Sequence, residues 1–353
     1  MKKFLFLSLL LFISASAISQ NQSAPTAAQT LRLARATYEQ GRLHEIPAQL
    51  DNKVIGSMNK QEQVEAYKIL CLSYIYLEEP EKADDAMLNI LRTDPYFEIN
   101  ERVDPAEFVA LYKTFRTRPI YRIGAKLGVN ATRPNVVETA SAVELAKGSK
   151  YKFLIAFQFG AAADLPLTTN LTLHGDLLFQ QKKFHLNLEV DRGVGESNEQ
   201  LTNLFEGDEA QTWISLPVTI EYKFMQKKFS PYVGGGVGID YLLGSKITSQ
   251  RSRENETSIE EKTYDFKPLR NTVNISLIGA AGVKLRMAGG YFVAEARFIY
   301  GLNQISSKET SYKNTQYALE QGYADSVYKL TSLVVTGSYI QNIFNPKKLK
   351  RKK

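Results

Sequence analysis

Three histidines and one cysteine carry most of the reactive chemistry open to this chain: His44, His174, His185 and Cys71. Nucleophilic catalysis needs a nucleophile beside a base, and a third polar group to orient the base. His185, near the end of an alternating segment, is the one candidate base, with Ser215 and Ser276 on other segments. No spacing joins them into a triad. His174 falls mid-segment on a polar face, where a structural hydrogen bond is the plainer use. Cys71 has no basic neighbour and, being single, forms no internal disulfide. Gly234-Gly-Gly-Val-Gly238 has the composition of a phosphate loop. It lacks the Gly-Lys-Ser/Thr ending and leads into no helix. The chain is therefore read as non-enzymatic. No catalytic, cofactor-binding or metal-binding residue is assigned, no cofactor is expected, and the partner-binding residues stay unknown.

The segments that would position these groups alternate with period two. In Tyr151–Gln180, Tyr151, Phe153, Ile155, Phe157 and Phe159 stand on one side, and Leu171, Leu173, Leu177 and Phe179 follow after a turn. The opposite side carries small and charged residues. An aromatic outside and a polar inside is the pattern of a strand whose outer solvent is lipid. Eight such strands are predicted, at about 119–130, 150–164, 170–189, 211–225, 230–244, 270–287, 290–304 and 327–344. Short connections follow the second, fourth and sixth, at Leu165–Asn170, Gln226–Ser230 and Met287–Gly290. Polar connections of roughly twenty residues follow the first, third, fifth and seventh, as at Ser245–Pro268. Outer-membrane barrels show this alternation of short periplasmic turns and long outer loops.

Parity assigns Tyr121, Leu127, Ile214, Leu216, Val218, Ile220, Tyr222, Phe224, Val233, Ile239, Phe292, Phe298 and Tyr300 to the lipid face. It assigns Arg122, Lys126, Lys152, Asp176, Glu221, Lys223, Asp240, Lys284, Arg286, Glu295 and Arg297 to the lumen. Eight strands enclose only enough space for their own side chains, so a packed interior without a conducting pore is expected. Gly234, Gly236 and Gly238 share the lumen face, where they make room for larger neighbours.

The remaining segments differ in texture. Residues 1–19 read as a signal peptide: Lys2 and Lys3, an apolar run from Phe4 to Ile13, then small residues. Residues 20–116 have helical period. Tyr67, Leu70, Cys71 and Tyr74 share one helical face, and Ala83, Met87 and Ile90 share the next, after a turn at Glu79-Pro80. This unit resembles a tetratricopeptide repeat, with Cys71 in the slot where a small residue lets two helices approach. Leu31, Ala34 and Tyr38 look like a degraded copy with Arg35 in the small slot. A further helix is expected from Asp104 as N-cap, with Pro105 at its first position. The net charge of +7 lies in Lys2, Lys3 and a basic tail, residues 346–353; without them the chain is near neutral, so nucleic acid is not implied. The tail reads as a solvated charge run, or as one drawn to anionic lipid or an acidic partner.

The expected fold is thus an all-β, eight-stranded antiparallel transmembrane β-barrel over 117–345, preceded by a small all-α TPR-like domain. Phe229–Leu243, Asp164–Phe179 and Tyr328–Phe344 resemble the small, PorT-like outer-membrane β-barrels of Bacteroidota. That resemblance implies a shared scaffold and no shared reaction, with type IX secretion and gliding as the setting of its namesake. The expected place is the outer membrane, with the helical domain and the tail in the periplasm. Expected partners are outer-membrane lipid and periplasmic or outer-membrane proteins, with no nucleic acid and no small-molecule substrate. The role is an anchor for a helical docking module, an accessory or scaffold subunit of an envelope machine for secretion or outer-membrane assembly. The alternative is a stand-alone structural or surface-recognition barrel acting through its long loops.

Overall fold

The structure, a computed structural model, describes residues 26–139, 150–194, 200–225, 227–253, 259–287, 289–311, 313–321 and 325–349. The chain divides into two compact units, one of residues 1–118 with 344–353 and one of residues 119–343.

The first unit is helical: α1 Ala27–Glu39, α2 Ile46–Gln49, α3 Asn52–Gly56, α4 Lys60–Tyr76, α5 Pro80–Thr93 and α6 Ala106–Tyr112. Helix α4 begins a full two turns before Tyr67, at a capping box. Asn59 accepts from the Gln61 and Glu62 N–H groups, and the Glu62 carboxylate accepts from the Asn59 N–H. The chain turns at Leu77–Glu79 and re-enters helix α5 at Pro80. One core runs through the unit, with Ala34, Ile46, Ala66, Cys71, Met87, Ile90 and Phe108 fully enclosed. Helix α6 departs from expectation at its start. Pro105, not Asp104, is the capping residue. The Asp104 carboxylate is already engaged with the Asn100 N–H and the Lys68 ammonium.

The tail expected to be solvated begins as part of this same unit. Lys348 forms an antiparallel bridge with Phe115 and an ion pair with Asp84. The Arg116 N–H donates to the Lys347 carbonyl and the Leu349 N–H to the Thr114 carbonyl. Residues 350–353 lie outside the described residues.

The second unit is a closed sheet: β1 Tyr121–Glu138, β2 Lys150–Pro166, β3 Leu171–Val194, β4 Gln200–Lys223, β5 Phe229–Arg253, β6 Ile259–Asp265, β7 Val273–Met287, β8 Gly290–Gly301 and β9 Val327–Ile343. Neighbours pair antiparallel from β1 to β5, then β5 to β7, β8 and β9. β9 returns to β1 with Leu127 opposite Gly337. All eight predicted strands form this ring, which leaves no open edge in the barrel wall. Among the described residues no helix is long and apolar enough to cross a membrane, a statement that does not touch crossing by strands.

The two rims differ. At one, short links join β2 to β3, β4 to β5 and β7 to β8, and Tyr121 at the start of β1 pairs with Ile343 at the end of β9. At the other, the sequence implied long irregular loops, and the structure largely replaces them with strand. β3 and β4 each run 24 residues and stay paired out to Val194 and Gln200. β5 runs 25 residues, and β6, which sequence reading missed, folds back on its outer end. A bilayer needs only about 9–11 residues of tilted strand, so these hairpins stand well beyond it. Continued pairing satisfies backbone groups that an irregular loop would have to leave to water.

The outer end is also filled. Helix α7, Thr315–Gln321, places Tyr317 edge-on against Phe205, Tyr264 and Phe266 at ring distances of 6.0, 4.9 and 4.8 Å. Phe184, Trp213, Ile247, Ile305 and Tyr328 belong to the same apolar cluster, with Leu186, Leu242 and Leu330. In the wall below it Gly236 has a plain function. A Cβ there would run into the Val218 carbonyl of the neighbouring strand, so only glycine lets β4 and β5 lie this close.

Candidate functional site

Strand parity brings ionisable side chains from most of the strands into the barrel interior. Asp176 on β3 sits at the centre of one network. Its carboxylate accepts from Lys126 Nζ at 2.9 Å and Arg297 at 2.6 Å, and faces His174 Nε2 at 2.9 Å. Glu295 pairs with both the same cations, at 3.2 and 2.7 Å, and accepts a hydrogen bond from the Tyr232 hydroxyl. Toward the short-turn rim, Lys284 joins Asp164 at 2.8 Å and Glu221 at 2.6 Å. Lys182 and Asp240 pair at 2.8 Å on the other side of the network. These side chains are almost wholly buried, and each charge has a partner of opposite sign, which is the condition for tolerating charge away from water.

A second network closes the outer end. Arg270 forks onto Glu209 through Nε at 3.0 Å and Nη2 at 2.9 Å, and its third arm reaches Asp325. Tyr328, Gln211 and Ser245 also donate to Glu209. Trp213 donates to Gln211 at 3.1 Å, so the polar knot is stitched to the aromatic cluster around it.

The chemistry weighed on the histidines finds no assembled site. His174 lies between Asp164 and Asp176, deep in the interior. His185 pairs with Asp208 at 2.6 Å, while Ser215 bonds Gln180 and Ser276 reaches the Gly238 carbonyl. His44 is exposed in a short 3-10 turn of the helical unit. Asp164, His174 and Glu221 could in principle converge on a metal ion. The cation seat between the two carboxylates is already filled by the Lys284 ammonium, so this donor set suits the lysine and not a metal.

In the helical unit Cys71 is fully enclosed between α4 and α5, and its thiol donates to the Ala83 carbonyl at 3.4 Å. Burial, with the nearby Asp84 carboxylate, pushes the thiol up to about 12, so it holds its proton at neutral pH. Met87 is equally buried, whereas Tyr67 and Tyr74 are only half-buried and line an open depression of about 380 Å³. Arg35 stays exposed and pairs with Glu65, so it does not enter the helix interface. A second depression, about 460 Å³, opens beside the α4–α5 turn.

A family model described as outer membrane protein beta-barrel domain matches residues 117–307, more than half of the chain. The chain belongs to the outer-membrane β-barrel family. No curated protein matches it. Among solved structures it is similar to Ail, the attachment invasion locus protein of Yersinia pestis, crystallised with the heparin analogue sucrose octasulfate. That match has 15% identity, 62% of this chain, 98% of the other and a TM-score of 0.28. OprG of Pseudomonas aeruginosa matches with 12% identity over 64% of this chain and 98% of the other, TM-score 0.31. Neisserial surface protein A matches with 10% identity, 63% and 97% coverage, and a TM-score of 0.30.

For an outer-membrane barrel the exposed apolar girdle is the lipid face, and the residues from Tyr121 and Leu127 to Phe298 and Tyr300 that parity placed there are all exposed, as are Phe153, Ile155, Phe157, Phe159 and Leu177. Leu171, Leu173 and Phe179 are half-buried, and Tyr151, expected on the outer side, packs against the apolar cluster of the outer end. Of the lumen assignments, Arg122, Lys126, Asp176, Glu221, Lys223, Asp240, Lys284, Glu295 and Arg297 are buried inside. Lys152 and Arg286 are exposed instead. Both stand near strand ends, where water reaches either face and alternation no longer separates lipid from lumen. Sequence reading missed Asp164 and Lys182, which obey the same parity. It also missed Glu209, Arg270 and Asp325, which sit in stretches read as loop or at their edges.

Proposed function

We propose that this outer-membrane barrel is an anchor, and that its helical unit is a periplasmic docking module serving a larger envelope machine for secretion or outer-membrane assembly. One observation carries the reading: the barrel interior is spent on its own ion pairs and aromatic packing, and the barrel's depression of about 940 Å³ is lined by outward-facing apolar residues such as Ile123, Leu165, Leu177 and Val218, where lipid lies, while the helical unit keeps two open depressions with polar margins. A barrel filled by its own side chains has little room to pass or process a substrate, so binding falls to the helical surface. The α4–α5 pair, with Cys71 where the helices approach, supports the tetratricopeptide-like reading, and such pairs bind partners on concave faces. The finer resemblance to PorT-like barrels of Bacteroidota is consistent with this role. In this reading the chain performs no catalysis.

A stand-alone surface barrel is the competing proposal, and the hairpins of β3–β4 and β5–β6 beyond the membrane favour it. Overpacking the helical core separates the two. Cys71→Phe should cost the helical unit about 1–3 kcal/mol and leave the barrel inserted. Proteins co-purifying in mild detergent should then be lost with Cys71→Phe and retained with Cys71→Ala. Retention of the same proteins by Cys71→Phe, once its helical unit is shown to be disrupted by proteolysis, would assign binding to the barrel.

A further inference from the structure

The charges inside the barrel do not balance at every level. At mid-barrel Lys126, Lys182 and Arg297 meet Asp176, Asp240 and Glu295 in equal number. At the short-turn mouth, among the described residues, Arg122, Lys223 and Lys284 face Asp164 and Glu221. Lys284 takes both of these carboxylates, and Arg122 stands 3.6 Å from Asp164. Lys223, the last residue of β4, is the surplus cation. It is 8% exposed, and among the described residues its ammonium has no ion pair and no hydrogen bond. Two of the charges acting on it, Arg122 and Lys284, are of its own sign. A charge held away from water without a partner is costly.

Unused donors stand nearby. Arg122 donates through Nε to Asn342 at 2.9 Å and lies over the Tyr291 ring at 5.0 Å, which leaves its Nη2 without a partner among the described residues. Thr172, opposite Glu221 in the β3–β4 ladder, is fully buried with an unpartnered hydroxyl.

We propose that this mouth binds a small oxyanion of the phosphate class between Lys223 and Arg122. The ammonium meets such an ion as a point charge, and the free guanidinium edge meets it as a planar donor. Asp164 and Glu221 do not bar it, because Lys284 already holds both. The ligand comes from water and not from a lipid headgroup. Lys223 faces the lumen, whereas its neighbours Tyr222 and Phe224 point outward to the lipid face, so the barrel wall lies between the ammonium and the bilayer. Its place at the end of β4 leaves a short path along the axis from the rim. Anion binding here goes beyond the anchoring role and does not depend on it.

Inorganic phosphate is titrated into the full chain in a maltoside detergent, with ionic strength held constant by sodium chloride. Phosphorus NMR linewidth reads binding, and the melting temperature reads its linkage to folding. The unsubstituted chain should broaden the signal saturably and melt higher as phosphate rises, as a ligand of the folded state requires. Lys223→Met and Lys223→Gln should each weaken binding about tenfold or more, the scale of one hydrogen bond to a charged group. In phosphate-free buffer Lys223→Met should melt no lower than the unsubstituted chain, because it removes an unpaired buried charge. Lys227→Gln with Lys228→Gln, in the exposed β4–β5 turn, should leave binding unchanged. Phosphatidylglycerol added to the micelles should not compete. No saturable binding, indifference to both Lys223 variants, or a Lys223→Met chain that melts well below the unsubstituted one would each overturn the proposal. Loss of binding through the turn lysines alone, or competition by phosphatidylglycerol, would overturn it as well.

Discussion

Replacing Arg270 with methionine should destabilise the barrel by about 3–5 kcal/mol, the range for stripping one member from a buried ion pair. The guanidinium is fully buried and uses both edges, forking onto Glu209 and reaching Asp325. Methionine keeps much of the volume and none of the charge, so Glu209 and Asp325 would be left side by side under the aromatic cluster. Tyr328, Gln211 and Ser245 would still donate to Glu209, but neutral donors do not cancel a buried charge. Guanidinium unfolding in detergent micelles, followed by tryptophan fluorescence, reads the effect through Trp213, whose indole is hydrogen-bonded into this same knot. Adding Glu209→Gln and Asp325→Asn should recover most of the loss, since the strain lies in unpaired charge. A loss under about 1 kcal/mol, the scale of exposed pairs, would mean that water reaches these carboxylates and the outer end is open.

Asp176→Leu should be equally costly, about 3–5 kcal/mol by the same argument, and should act at mid-barrel. It removes the acceptor shared by Lys126, Arg297 and His174, and leaves Glu295, among the described residues, as the only carboxylate pairing both cations. Asp176→Asn keeps an acceptor oxygen and should cost less. Combining Asp176→Leu with Lys126→Met should be better tolerated than the sum of the two single changes, because the residues share one network. Additive losses would show that Lys126 and Asp176 act separately, and that the interior is not the interlocked plug described above.

How much of this was legible depends on where alternation has physical meaning. Inside the bilayer the two faces of a strand meet different solvents, so period two sorted Leu127 from Lys126 and Phe298 from Arg297 without ambiguity. Beyond the bilayer both faces meet water or the apolar plug. There the sequence of β3, β4 and β5 reads as polar loop although the backbone stays paired. Glu209 and Arg270 were hidden by this, because their burial comes from α7 and the aromatic residues that converge from distant positions. Asp164 could have been found: it shares parity with Ala162 on β2 and stands opposite His174 in the β2–β3 register. In the helical unit the pattern of faces located Cys71 and Met87, while the start of α4 was written in the Asn59-Glu62 capping box and was overlooked. Nothing local in the tail announces its attachment. Lys348 meets Asp84 only because the fold brings residues far apart in sequence together.

We propose that the strands cross the outer membrane with their short-turn rim inward and the helical unit in the periplasm. It is tested most directly by tag accessibility on intact cells. Epitope tags are placed in 195–199, between β3 and β4, in 254–258, between β5 and β6, and at Gln61 on α4. Antibody should stain the first two on whole cells and reach the third only after the outer membrane is permeabilised. Staining of the Gln61 tag on intact cells, with the two hairpin tags silent until permeabilisation, would contradict the account.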